Sequence, residues 1–140
     1  MLIIARSLGG CVISIVYAYD RPTEGQTPKP EHPPRRVLTA SRWPRGLRRS
    51  AVDYWLRDLA PARELRLAHF SHRIDDAEYA RLYARDLTRP AAQAALVTLE
   101  ILGRSTDLEL LSLRRNLAAS HLQVLRRMLL ANQNRVRELA

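Results

Sequence analysis

Leu108-Glu109-Leu110-Leu111-Ser112-Leu113 is nearly all apolar, and it soon gives way to a stripe formed by Ala118, Leu122, Leu125 and Leu129. The first run has the composition of a strand covered on both faces. The second has the 4, 3, 4 spacing of one buried helix face, in a helix expected from about Ala118 toward Leu139. A strand followed directly by a helix is the building unit of layered α/β proteins. Farther upstream, Val12-Ile13-Ser14-Ile15-Val16-Tyr17 is β-branched and aromatic, and Val37-Leu38-Thr39-Ala40-Ser41 is a second strand candidate, closed by Trp43-Pro44-Arg45-Gly46. Residues before Val12 read as a further β segment, turned back at Gly9-Gly10.

The middle of the chain reads as helix. Ser50–Leu59 is expected to be a short helix capped by Ser50 and stopped by Pro61, with Leu65–Phe70 a second. Asp75 followed by Glu78 three residues later is a capping-box arrangement, after which Tyr79, Tyr83 and Leu87 share one face. Pro90 suits a first helical turn, Leu96, Leu99 and Leu102 form a stripe, and Gly103 is placed as the C-terminal stop. The expectation is an α/β fold: a small, mainly parallel sheet packed with helices, in a single domain over residues 1–140. Because the middle third is all helix, α+β is the alternative. Residues 20–34, with five prolines and a glycine, form an exposed loop.

A chain of 140 residues with 46% hydrophobic and 26% charged residues has the composition of a globular domain. Its formal net charge is +9, almost all of it from arginine, since Lys29 is the only lysine. Arginine's rigid fork of donors suits carboxylates and phosphates, so an anionic partner is indicated. Codon usage in a GC-rich genome raises arginine content for reasons unrelated to binding. Cys11 is the only cysteine, which excludes an internal disulfide and a cysteine-built zinc site and fits a reducing cytoplasm. Leu8-Gly9-Gly10-Cys11 has some likeness to a lipoprotein cleavage site, but no useful apolar run precedes it, and Val12–Ala18 is too short to span a membrane. The expectation is cytoplasmic, without membrane association.

No phosphate-binding glycine loop, dinucleotide turn, nucleophile elbow or paired-histidine zinc helix is present. His32, His69, His72 and His121 lack metal-ligand spacing, so no metal is expected. Three segments carry chemistry. Arg42-Trp43-Pro44-Arg45-Gly46-Leu47-Arg48-Arg49 follows a strand, the place where ligands bind in open α/β sheets, and Arg42, Trp43 and Arg45 are candidates for an anion clamp. Asp53–Pro61 contains Arg57 and Asp58; an acid near a helix end needs a partner, and Asp58 is placed either in a structural ion pair or as the residue orienting a binding arginine. Ser120-His121 stands at the start of the last helix, where a histidine binds an anion or moves a proton.

Taken together, these segments resemble the YeaO-like family of uncharacterised bacterial proteins, the domain of unknown function 488. Arg42-Trp43-Pro44-Arg45-Gly46 is similar to the family's Arg-Leu-Trp-Pro-Arg-Gly, with the Leu missing. Trp55-Leu56-Arg57-Asp58-Leu59-Ala60-Pro61 and Glu64-Leu65-Arg66 resemble its Trp-Leu-Lys-Asp-Leu-Ala-Pro-Ser and Glu-Leu-Arg. Phe70 and His72, Tyr79 and Tyr83, Tyr17 to Pro22, and Ser120-His121 with Val124-Leu125 fit further elements, so that the likeness spans about residues 15–130. It implies a compact α/β domain whose pocket lies between the Arg-Trp-Pro-Arg-Gly turn, the Asp-Leu-Ala-Pro segment and the last strand–helix junction. It implies no activity. Two positions depart from the pattern: Asn116 stands where relatives have Asp, and Ala119 replaces the first histidine of the closing motif. An amide does not titrate and alanine moves no proton.

The reading that follows is a binding or degenerate enzyme-like domain for a small anionic or nucleotide-like ligand, held by Arg42, Trp43, Arg45, Arg57, Asp58, Ser120 and His121. The first alternative is a nucleic-acid-binding basic protein using Arg35, Arg36, Arg42, Arg45, Arg48 and Arg49 with Trp43 as a stacking surface. The second is an active enzyme of unknown reaction, with His121, His72 and Asp58 as its acid/base candidates. The residues name no cofactor and no oligomeric state.

Overall fold

The last strand of the chain occupies the centre of the sheet. A computed structural model of the chain describes residues 3–6, 11–20, 33–117 and 120–139. In it, β5 (Leu108–Ser112) has a parallel partner on each side, β2 (Val12–Tyr17) and β3 (Arg35–Leu38). The two-residue strand β4 (Tyr54–Trp55) pairs parallel with β3, and β1 (Ile3–Arg6) closes the other edge antiparallel to β2. The order is β1-β2-β5-β3-β4. The fold is α/β with a mainly parallel sheet. Register explains why β5 is so apolar: Leu110 lies between Ile15 and Val37, and all three are fully buried.

Four helices cover one face: α1 (Arg63–Phe70), α2 (Asp76–Asp86), α3 (Pro90–Ser105) and α4 (His121–Leu139). The expected stripes point inward. Tyr79, Tyr83 and Leu87 of α2, Leu96 and Leu99 of α3, and Leu122, Leu125 and Leu129 of α4 join Ile13, Ile15, Val37, Leu108 and Leu110 in one core. Asp75 caps α2 by accepting a bond from the Glu78 amide at 2.8 Å, while the Glu78 carboxylate pairs with Arg81 instead of closing the box. Buried Tyr83 donates its hydroxyl to the Leu59 carbonyl at 2.6 Å, tying α2 to the segment after β4.

Strand alternation sends Leu38 and Leu111 to the opposite face. There they meet Ala18 and Leu47 in a second, smaller cluster, with Trp43 and Trp55 packed against it. Among the described residues no α-helix covers this cluster; the chain from Thr39 to Val52 does. Trp43 donates its indole N–H to Leu47 O and Trp55 donates to Ala40 O, both at 2.7 Å, and the two rings meet edge to face at 5.3 Å. Gly46, at φ 80°, makes the turn between them, a backbone conformation that strains a residue with a Cβ.

Three expectations are corrected. Ser50–Leu59 is not a helix: single 3₁₀ turns at Arg49–Ala51 and Arg57–Leu59 flank β4. Bonds from Asp53 N to Arg36 O and from Leu56 N to Leu38 O dock this stretch on β3, as β-branched Val52 and aromatic Tyr54 and Trp55 favour. The second strand runs from Arg35 to Leu38 rather than from Val37 to Ser41, which leaves Thr39 to Ser41 as a loop. Gly103 lies buried inside α3, which continues to Ser105. The proline-rich stretch falls largely at 21–32, and Gly9, Gly10, Ala118 and Ala119 likewise lie outside the described residues.

Candidate functional site

Freeing Thr39–Ser41 from the strand opens the site. Beyond the carboxyl ends of β3 and β5 lies a cavity of about 90 Å³, enough for several waters or one phosphate-sized group. β3 contributes the loop Thr39 to Ser41 and β5 contributes Ser112 to Arg114. The helical side contributes Pro61, Arg66 and His69 from α1 and its approach, Tyr79 from α2, and Ser120 and His121 from the start of α4. Ligand sites fall at this end of open parallel sheets because loops diverge there and leave a crevice.

Several of its polar groups are held in place. Ser112 Oγ donates to Arg114 O at 2.7 Å and accepts from Arg114 N at 3.2 Å, which turns the chain sharply after β5. His121 Nε2 lies 2.8 Å from the hydroxyl of buried Thr39, and its ring meets Tyr83 edge to face. Enclosure by protein, aided by the Arg114 charge, lowers the His121 pKa from 6.5 to about 3, so its imidazole is neutral at physiological pH. His69 stacks flat on Tyr79 with ring centres 4.0 Å apart, and its Nε2 lies 2.7 Å from Asp76 Oδ1. Burial pushes the Tyr79 hydroxyl up to about 12, against the opposing pull of Arg114 and Arg66.

Arginine supplies the permanent charge in the cavity wall. Arg66 and Arg114 are exposed lining residues, and no acid stands among the lining residues. Two guanidinium groups above a wall of Thr39, Ser41 and Ser120 hydroxyls form an electropositive cup that suits an anion. A neutral imidazole of such low basicity accepts a hydrogen bond or donates one, but holds no proton to give at neutral pH.

Of the residues singled out from the sequence, Ser120 and His121 line the cavity. The others stand elsewhere. Arg42 and Arg45 are exposed on the loop over the smaller cluster, and Tyr19 donates its hydroxyl to the Arg45 carbonyl at 2.9 Å. Trp43 is half-buried with Arg49 over its ring at 4.4 Å, and Arg57 covers Trp55 at 4.0 Å. Asp58 is exposed and its carbonyl accepts from Arg89 at 3.3 Å; among the described residues no ion pair joins its carboxylate to an arginine. His72 lies outside the cavity, in a neighbouring groove with Asn116.

Sequence reasoning passed over Arg66, His69, Thr39 and Arg114. A signal existed for the first two. Arg66 and His69 are three apart on a helix that buries Leu65, so they share a face at its edge. Arg114 and Thr39 had none, because only the sheet order brings the ends of β3 and β5 side by side.

Fold and cavity together define an α/β domain with a basic pocket at the strand ends. The family follows from comparison: residues 23–139 match the model described as the inactive DUF488-N3 subclade, and the chain belongs to that family. No curated protein matches the chain, and no solved structure does. Among the described residues there is no group of three or more metal-ligating side chains and no helix long and apolar enough to cross a membrane.

Proposed function

We propose that this protein is a binding domain that holds a small anionic or nucleotide-like molecule at the ends of β3 and β5 and does not transform it. The observation that carries the reading is the cavity wall, where Arg66 and Arg114 stand and no acid is found among the described lining residues. They bind the anion; Ser41, Ser120 and the Thr39–His121 pair supply hydrogen bonds. The absence of turnover is argued from His121, whose lowered pKa leaves it a poor acid and a weak base at neutral pH. The description of the family as inactive and the amide at Asn116 agree with this. A thermal-shift titration with inorganic phosphate tests it. Stabilisation that persists in Arg42→Ala but disappears in Arg66→Ala and Arg114→Ala is expected, since selective binding to the native state raises apparent stability. An unchanged response in both cavity variants would sink the assignment.

A second reading has its own observation. Arg42, Arg45, Arg48 and Arg49 are all exposed on one loop, and no ion pair among the described residues joins them to an acid. Such a patch attracts nucleic acid without sequence preference. Its mark is oligonucleotide binding that falls steeply with salt and weakens when these arginines are replaced. The Trp43 ring already carries Arg49 on one face, so stacking on a base is the less favoured part of that reading.

A further inference from the structure

We infer that the molecule bound here carries a planar aromatic group, of the kind a nucleobase provides, next to its anion, and that Phe70 is the platform on which that group stacks. The inference rests on the anion reading above and extends it to a second subsite.

An open groove adjoins the cavity and shares two of its walls, His69 and Arg114. Phe70, His72, Ile74, Asp75, Asp76 and Asn116 line the rest; of the two carboxylates, Asp75 caps α2 and Asp76 lies 2.7 Å from His69 Nε2. Phe70 closes α1 with 67% of its surface exposed, the most exposed large hydrophobic side chain among the described residues. One of its faces is engaged: the Arg114 guanidinium lies 5.1 Å from the ring centre. A guanidinium stacks through its flat face and donates through its edge, so Arg114 is able to hold an anion in the cavity while backing an aromatic pair in the groove. Anion and aromatic group are therefore presented to one ligand from two sides of one side chain.

His72 adds an independent observation. It is the only described residue other than glycine with positive φ, at 60°. The helix end is a two-bond C-terminal cap: His72 N donates to His69 O and Arg73 N donates to Ala68 O. The left-handed position of this cap is ordinarily glycine, which takes it without steric cost. An imidazole there does nothing for the turn that glycine would not do better, and it places a ring with a polar edge on the groove. Asn116 supplies an amide with both a donor and an acceptor, the complement of a heterocycle's edge.

Isothermal titration of the full chain with AMP, ribose 5-phosphate and inorganic phosphate tests this in the unsubstituted protein, in Phe70→Ala and in His72→Gly. Both variants alter exposed positions, and His72→Gly relaxes the backbone, so both are expected to fold. AMP is expected to bind roughly 5- to 100-fold more tightly than ribose 5-phosphate, the range that stacking one base on an aromatic side chain supplies. Phe70→Ala should bring AMP down to the affinity of ribose 5-phosphate and leave the latter unchanged; His72→Gly should give a smaller loss with a higher Tm. Equal affinity for AMP and ribose 5-phosphate, or a preference that survives Phe70→Ala, overturns the aromatic subsite while phosphate binding keeps the anion pocket. If none of the three binds, both fall.

Discussion

Two groups of arginines flank the same end of the sheet, and their surroundings differ. The loop after β3 lays Arg49 on Trp43, and Arg57 in the turn after β4 lies on Trp55; both tryptophans anchor their indole N–H groups on backbone carbonyls and help to cover Leu38 and Leu111. These guanidinium groups sit over tryptophan rings on a surface that, among the described residues, no α-helix covers. Arg66 and Arg114 stand above a cavity instead, close enough to Tyr79 for their charge to act on its hydroxyl. The lesson is that a motif dense in arginine and tryptophan packs as a structural cover here, and that the arginines lining the cavity come from α1 and the turn after β5.

The sharpest way to break this contrast is on the cover side. Trp43→Ala removes a half-buried indole, its bond to Leu47 O and its contact with Trp55, and should cost about 3 kcal/mol of stability. Chemical denaturation reads it, while phosphate binding in the still-folded fraction should persist. A loss of only a few tenths of a kcal/mol would remove the loop from its structural role.

The cavity side shows itself in pH dependence. The folded pKa of His121, about 3, lies below the 6.5 of the unfolded chain. Between these values the unfolded state takes up a proton that the folded state refuses, so stability is complete above about pH 6.5 and falls as pH is lowered through the window. The slope is at most about 1.4 kcal/mol per pH unit. His121→Gln should lack this part of the slope; identical pH profiles of the two proteins from 6.5 to 4 would contradict the enclosed, neutral imidazole.

Smaller effects sharpen the comparison further. His72→Gly should stabilise the protein by about 1 kcal/mol by relieving a left-handed backbone; calorimetry checks the sign, and a destabilisation would show that the imidazole holds the helix end. Arg66→Ala should change stability by no more than about 0.5 kcal/mol, as expected for an exposed side chain, and Arg114→Ala by up to about 1 kcal/mol, since its guanidinium lies over the Phe70 ring. Denaturation midpoints beside phosphate titrations separate the two kinds of arginine: replacing the cavity pair is expected to act more on phosphate binding than on the fold.

Much of this fold is legible along the chain. The apolar run at Leu108, the stripes at Tyr79 and Leu122, the Asp75 cap and the first-turn Pro90 are local patterns, because helix and strand periodicity and capping depend on residues a few positions apart. Ser50–Leu59 failed for the same reason. Its spacing suits a helix, but pairing with β3, a partner distant in sequence, outweighs local preference for Tyr54 and Trp55. The site was legible only at Ser120-His121 and, had the helix face been drawn, at Arg66 and His69.

The order of strands is written nowhere in the chain. Only the folded sheet, with β5 inserted between β2 and β3, brings Thr39 within 2.8 Å of His121 across 82 positions and sets Arg114 and Arg66 in the wall of one cavity. Periodicity by itself determined the buried stripes of α2, α3 and α4 and the apolar run of β5, since burial follows from which side of a helix or strand a residue occupies. Which polar residues meet around the cavity was decided by tertiary structure alone, because a cavity is the gap left where elements distant in sequence diverge.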